Sequence, residues 1–141
     1  MAFKASQLPL QRGFERALDV AGQEKRTLDA WDTRLNGNIT GLDAVEMLNN
    51  LDRVLAIFSE VAALPGLAAY AQSQFSNATY NVTAEFDVMI NALAAVQSWL
   101  KTNIPSTAIS IVSGVMVGAT YTPAQTAPLR ALVVAAAATI E

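Results

Sequence analysis

TGLDAVEMLNNLDRVLAIFSEVAALPG, from Thr40 to Gly66, is the most regular stretch of the chain and decides the fold class. Thr40 followed by Asp43 resembles a capping box in which the acid replaces the usual Glu. Leu42, Val45, Leu48, Leu51, Leu55, Phe58, Val61 and Leu64 recur every three or four residues and form one stripe. Asp43, Glu46, Asn50, Asp52, Arg53 and Glu60 fall mostly elsewhere, and Pro65-Gly66 stops the pattern. The spacing predicts an amphipathic helix, whose apolar face needs other helices to cover it.

Those helices are legible on both sides. Upstream, Leu10, Phe14, Leu18 and Ala21, then Leu28, Trp31 and Leu35, keep helical spacing between Pro9 and Asn36-Gly37. They predict one long helix, or two short ones divided at Gly22. Downstream, Leu67 to Phe75 is Ala-rich and long enough for two turns, and Asn77 to Asn81 reads as a loop. Thr83 is the expected cap of the next helix, which carries Phe86, Ile90, Leu93, Val96 and Leu100 on one face. Met89, Ala92 and Ala95 widen that face, and Pro105 closes the helix after Asn103.

From Ser106 to Tyr121 the composition shifts to β-branched and aromatic residues. Ile109 with Ile111, and Val115 with Val117, alternate as strands do. Ile109, Val112 and Met116 also fit a helix, and Gly114 with Gly118 would let two helices approach, so periodicity leaves both forms open. The extended or hairpin form is favoured. Thr122-Pro123 and Thr126-Ala-Pro128 are successive helix starts, and Leu129, Leu132, Val133, Ala136 and Ile140 mark one side of an Ala/Val helix. The expected fold is mainly α: a helical bundle of four to five helices with a short extended or β-hairpin segment near residues 106–121. Residues 1–141 form one domain, with 1–8 a flexible N-terminus.

Composition narrows the function. The chain has 141 residues, no Cys and no His, so disulfides, the common transition-metal sites, imidazole catalysis and a Ser-His-Asp arrangement are all unavailable. GxGxxG, GxxxxGK[ST] and GxSxG are missing too. The basic residues Lys25, Arg26 and Arg34 are interrupted by Glu24, Asp29 and Asp32, which argues against a phosphate-binding patch and so against nucleic acid. No continuous apolar run follows the N-terminal Lys4, and none spans a membrane. Asn77-Ala-Thr79 and Asn81-Val-Thr83 match the glycosylation sequon but are better read as polar loop.

The carboxylate pairs Glu15 with Asp19, Asp29 with Asp32 and Asp43 with Glu46 sit three or four residues apart. Such pairs hold a hard cation or share a proton in some proteins, and Asp43 with Glu46 is the pair an enzyme reading would use. With Arg12, Arg16, Lys25, Arg26 and Arg53 interspersed, a solvated, weakly ion-paired surface is the better account. Lys101, at a helix C-terminus, is placed for the helix dipole and not for a Schiff base. No catalytic, metal-binding or cofactor-binding residue is assigned. Trp31, Trp99, Phe58 and Phe86 fall on or near the stripes as core, while Tyr70, Tyr80 and Tyr121, close to loops, suit interface anchors or core edges equally.

Of nine basic and twelve acidic residues, only Glu60, Glu85, Asp87, Lys101, Arg130 and Glu141 lie from Val54 onward. So charge-poor a region suggests surface covered by other protein. The C-terminal run from Tyr121 through Thr-Pro-Ala-Gln-Thr-Ala-Pro-Leu-Arg130 to Leu132, followed by an Ala/Val helix, resembles the ending of small tailed-bacteriophage virion proteins. The resemblance implies a multi-copy structural protein of the head-tail region, a connector or neck component, made in the host cytoplasm and incorporated into the virion. Its implied partners are copies of itself and neighbouring virion proteins, without direct contact to nucleic acid, membrane or small molecules. The expected oligomerisation segment is 106–141, with contacts through Ile109, Val112, Val115, Val117, Tyr121, Leu129, Leu132, Val133 and Ile140. The alternative is a helical binding module or assembly chaperone for another phage protein.

Overall fold

In a computed structural model of the chain, Thr40 Oγ1 accepts the Asp43 N–H at 3.2 Å while the Asp43 carboxylate accepts the Thr40 N–H at 2.8 Å. The capping box is complete, and α2 (Gly41–Ala62) runs from it. Residues 8–77, 79, 81–104, 109–112 and 115–140 are described, with 109–112 and 115–117 described by their backbone. The other elements are α1 (Leu8–Arg34), β1 (Ile39–Thr40), α3 (Leu67–Gln74), α4 (Val82–Asn103), β2 (Ile109–Val112), β3 (Val115–Gly118), β4 (Thr120–Tyr121) and α5 (Pro123–Ala138). The protein is mainly helical, as expected, and residues 1–7, including most of the expected flexible N-terminus, lie outside the described residues.

α1 is continuous through Gly22, which settles the choice between one helix and two. α2 buries a row slightly rotated from the expected stripe: Ala44, Met47, Leu51, Val54, Ile57, Phe58 and Val61 are inside, while Val45 is exposed and Leu42, Leu48, Leu55 and Leu64 are half-buried. The reason is crowding. α2 packs against both α1 and α4, and the small Ala44 and unbranched Met47 lie on the side that the two cover. The cap of α4 is Asn81, not Thr83: Asn81 Oδ1 accepts from Ala84 N–H at 3.1 Å. Starting two residues earlier buries Val82 against the core. Asn77 Oδ1 likewise accepts from the backbone and hydroxyl of Thr79, so both sequon asparagines shape turns.

The helix order around the bundle is α1, α2, α4, α5, each packed on the next and α5 returning to α1. Neighbours are antiparallel. Along α5, Arg130 pairs with Asp32 and the carbonyl of Ile140 accepts from Lys25 at 2.8 Å, so α5 runs opposite to α1. Between α2 and α4, Gln97 bonds Asp52 while Phe86 packs on Phe58, again opposite directions. α1 and α4 therefore face each other across a core in which Leu28, Leu51, Val54, Phe58, Leu93, Val96, Leu100, Leu129 and Val133 have no exposed surface.

One end of the bundle is tied by polar contacts and short strands. β1 and β4 pair antiparallel, Ile39 opposite Tyr121, and the Gly41 N–H bonds the Ala119 carbonyl at 2.8 Å. Thr122 and Gln125 form a second complete capping box, on α5. Helix α5 starts at Pro123, the first of the two predicted starts, and carries Pro128 within it. Arg34 bridges Asp43 and Glu46, and Arg130 bridges Asp32 at 2.7 Å and bonds Asn36.

β2 and β3 form the expected hairpin, with Val112 opposite Val115 and Ile109 opposite Gly118. Gly118 has a packing role: a Cβ there would lie 2.8 Å from the Gly41 nitrogen and 2.9 Å from that of Leu42. Only glycine lets the returning chain approach the first turn of α2 so closely.

The opposite end is built differently. After Ala62 the chain turns through Gly66, whose φ of 77° is left-handed, and α3 leaves α2 at 93°. It crosses the end of the bundle, touching α1 and α4. No single helix among the described residues is long and apolar enough to cross a membrane.

Candidate interaction surface

Helix lengths create a vacancy at the α3 end. α1 has 27 residues, α4 has 22 and α5 has 16, so α5 stops short while its two neighbours continue. Beyond Ala138 the corner of the bundle is an open groove of about 710 Å³. Phe14, Ala17, Leu18 and Ala21 form its α1 wall. Val82, Glu85, Phe86 and Met89 form its α4 wall, with Val88 beside them, and Phe75, Thr139 and Ile140 close its ends. Both walls have the spacing i, i+3, i+4, i+7 of a helix face turned toward a partner.

The groove gathers much of the apolar surface left exposed among the described residues. Among the described residues, the large apolar side chains left exposed are Leu18, Val45, Phe75, Val88 and Val134, and three of these five border the groove. Leu18 is 52% exposed, Phe75 48% and Val88 55%. Leu18, expected on the buried stripe of α1, is a correction: its row meets no α5 at this level. Phe75 packs edge-on against Phe14, which also meets Tyr70 edge-on. Tyr70 is thereby buried and supports the groove from beneath instead of anchoring an interface. Tyr80 lies outside the described residues.

The expected contact residues divide three ways. Leu129, Val133 and Ile140 are buried in the chain's own core, because α5 is one of the four bundle helices and its apolar side faces α1 and α4. Within the single chain those three are core residues. Leu132 and Tyr121 are half-buried against that core. Ile109, Val112, Val115 and Val117 lie in β2 and β3, and their side chains are outside the described residues. Sequence reading placed the contact face on the buried side of α5. The groove beyond the end of that helix was not anticipated.

Three of the six paired carboxylates meet a cation: Arg34 takes Asp43 and Glu46, and Arg130 takes Asp32. Glu15 accepts from Gln11 at 3.2 Å. An unpredicted acid is Glu24, on the inner side of α1 and only 1% exposed. Burial pushes its carboxyl up to about 7, against the opposing effects of the Asn50 amide and the Arg53 charge. Glu24 Oε1 and Asn50 Oδ1 are both buried without a hydrogen-bond partner. Desolvation outweighs both opposing effects, so the neutral acid suits this buried position. Its signal was in the sequence, as a gap in the apolar stripe of α1 between Ala21 and Leu28.

Comparison with family models, with curated proteins and with solved structures finds no match to this chain.

Proposed function

We propose that this protein is a non-enzymatic structural component that works by packing against other proteins, in the setting its C-terminal resemblance implies: a multi-copy head-tail connector or neck protein of a tailed-phage virion. The observation that carries the assembly reading is the groove between α1 and α4, where exposed Leu18, Phe75 and Val88 surround apolar walls. Isolated exposed apolar residues need no explanation, but a contiguous set around a concavity marks a contact site. In a ring, contacts are head-to-tail, and the edges of the β2–β3 hairpin offer a second place for a neighbour.

The alternative, a binding module or assembly chaperone, is favoured by the same groove being open in the single chain. Light scattering and particle composition separate the two. The structural reading expects purified particles to contain the chain at a fixed copy number by mass spectrometry. A stable monomer that is missing from particles, yet holds one other virion protein, gives the chaperone reading instead. Deleting 106–141 is a poor test, since it removes the core residues Leu129, Val133 and Ala136 along with any contact surface.

A further inference from the structure

We infer that the groove is a docking site for a short amphipathic helix of another protein, which sets apolar residues against Leu18, Ala21 and Val88 and a lysine or arginine against Glu85. This rests on the assembly reading above and specifies what the groove takes.

The shape selects a helix. At 1.5 Å per residue, the 16 residues of α5 span about 24 Å and the 22 of α4 about 33 Å. The vacancy is the place where a longer α5 would lie. An extended segment fits worse. Its backbone N–H and C=O groups would face two helix surfaces that offer no sheet edge, whereas a helix satisfies its own.

Charge selects the sign. Glu85 is the one ionisable side chain among the groove's described lining. On α1, Glu15 is exposed about 60° round the helix from Leu18, whereas Arg12 and Arg16 lie about 120° or more away. Lys25, the next cation along α1 after Ala21, donates to the Ile140 carbonyl. A basic residue on the incoming helix meets a complementary rim, and an acidic one is repelled.

A second copy of this chain is a poor occupant. The helices have turned their apolar faces inward, and outside the groove the large apolar side chains they leave exposed are the single residues Val45 on α2 and Val134 on α5. Neither provides a stripe. A groove-to-groove contact would also bring Glu85 toward its own copy.

The test uses the full chain and two stapled, end-blocked peptides of about 14 residues, long enough to hold a helix. Both are built from Leu, Ala and Gln with one Leu stripe; one carries a single Lys beside the stripe and its twin a Glu. Titration followed by amide NMR is expected to move Leu18, Ala21, Val88 and Thr139 and to leave Asp43 and Gln125 in place. The Lys peptide should bind roughly five- to tenfold more tightly than its twin. Glu85→Gln, an exposed change that spares the fold, should remove most of that preference.

Absence of saturable binding by the Lys peptide, equal affinity for the twins, or shifts centred elsewhere overturns the proposal. So do groove shifts that grow with protein concentration alone, which identify a second copy, or binding that emerges only when residues 1–7 are removed. If the Lys peptide binds but the chain is missing from particles and stays monomeric, the assembly reading falls and the groove assignment stands. Oligomers or particles without peptide binding give the reverse.

Discussion

At one end of the bundle, two capping boxes, the β1–β4 ladder, and Arg34 and Arg130 tie three helix termini together, the end of α1 and the starts of α2 and α5. At the other, α5 stops short, α3 crosses sideways, and Leu18 and Val88 stand exposed around a groove. Polar contacts are directional, so the tied end fixes which helix neighbours which and in what register. Apolar surface is undirected and only needs covering, and at the open end some of it is left uncovered. Geometry is set at one end and partner capacity is left at the other.

Glu24 lies between the two ends, and its titration is expected to have the largest effect on stability. With the folded carboxyl at about 7 and an unperturbed value of 4.5, the folded chain holds an extra proton between those values. Stability therefore falls as pH rises through that window and levels off above it, by at most about 3 kcal/mol. Glu24→Gln should remove this slope and raise stability at pH 8, because the amide stays neutral at every pH. Urea denaturation at pH 5 and pH 8 measures both. An unchanged slope in the variant would mean that Glu24 is charged and solvated, and that the middle of α1 is less closed than its burial indicates.

Next in size is Gly118→Ala. The added methyl meets backbone nitrogens of Gly41 and Leu42 at less than 3.0 Å, and backbone cannot step aside as a side-chain tip can. A loss of about 2 kcal/mol is expected, with amide exchange quickening first at Gly41 and Tyr121 and later at Leu18 or Met89. Should exchange quicken equally at both ends, the tied end does not unfold as a separate unit and the division between ends is only geometric.

Thr40→Ala breaks the first capping box for about 1 kcal/mol, read as a shift in the thermal midpoint. That box was plain from Thr40 and Asp43 alone, since a cap is a local bargain between residues three apart. The same locality made the Thr122 cap and the hairpin character of 109–118 readable. Where two local solutions compete, the choice needs the fold: Asn81 caps α4 over Thr83 because only that start buries Val82. The α2 stripe was readable but rotated, because Val45 and Ala44 are both apolar and only the closeness of α1 and α4 decides which goes inside. The groove depends on how far three helices extend relative to one another, which a periodicity along one helix does not contain.

The smallest stability effect belongs to Leu18→Ser and Val88→Ser, and they bear most directly on the comparison. Both side chains are more than half exposed, so only part of the burial of a core residue is lost, and each change should cost less than about 1 kcal/mol. Serine lowers helix propensity slightly below that of leucine and leaves it about equal to that of valine. If the open end exists for contact, the same substitutions should weaken binding of the Lys peptide several-fold while the thermal midpoint stays nearly fixed. A core residue behaves in the opposite way: Leu93→Ala, with no exposed surface, should cost 2 kcal/mol or more, on the order of other buried leucines. A Leu18→Ser variant as unstable as Leu93→Ala would show that α1 closes over the groove in solution, and the two ends would then differ in composition but not in availability.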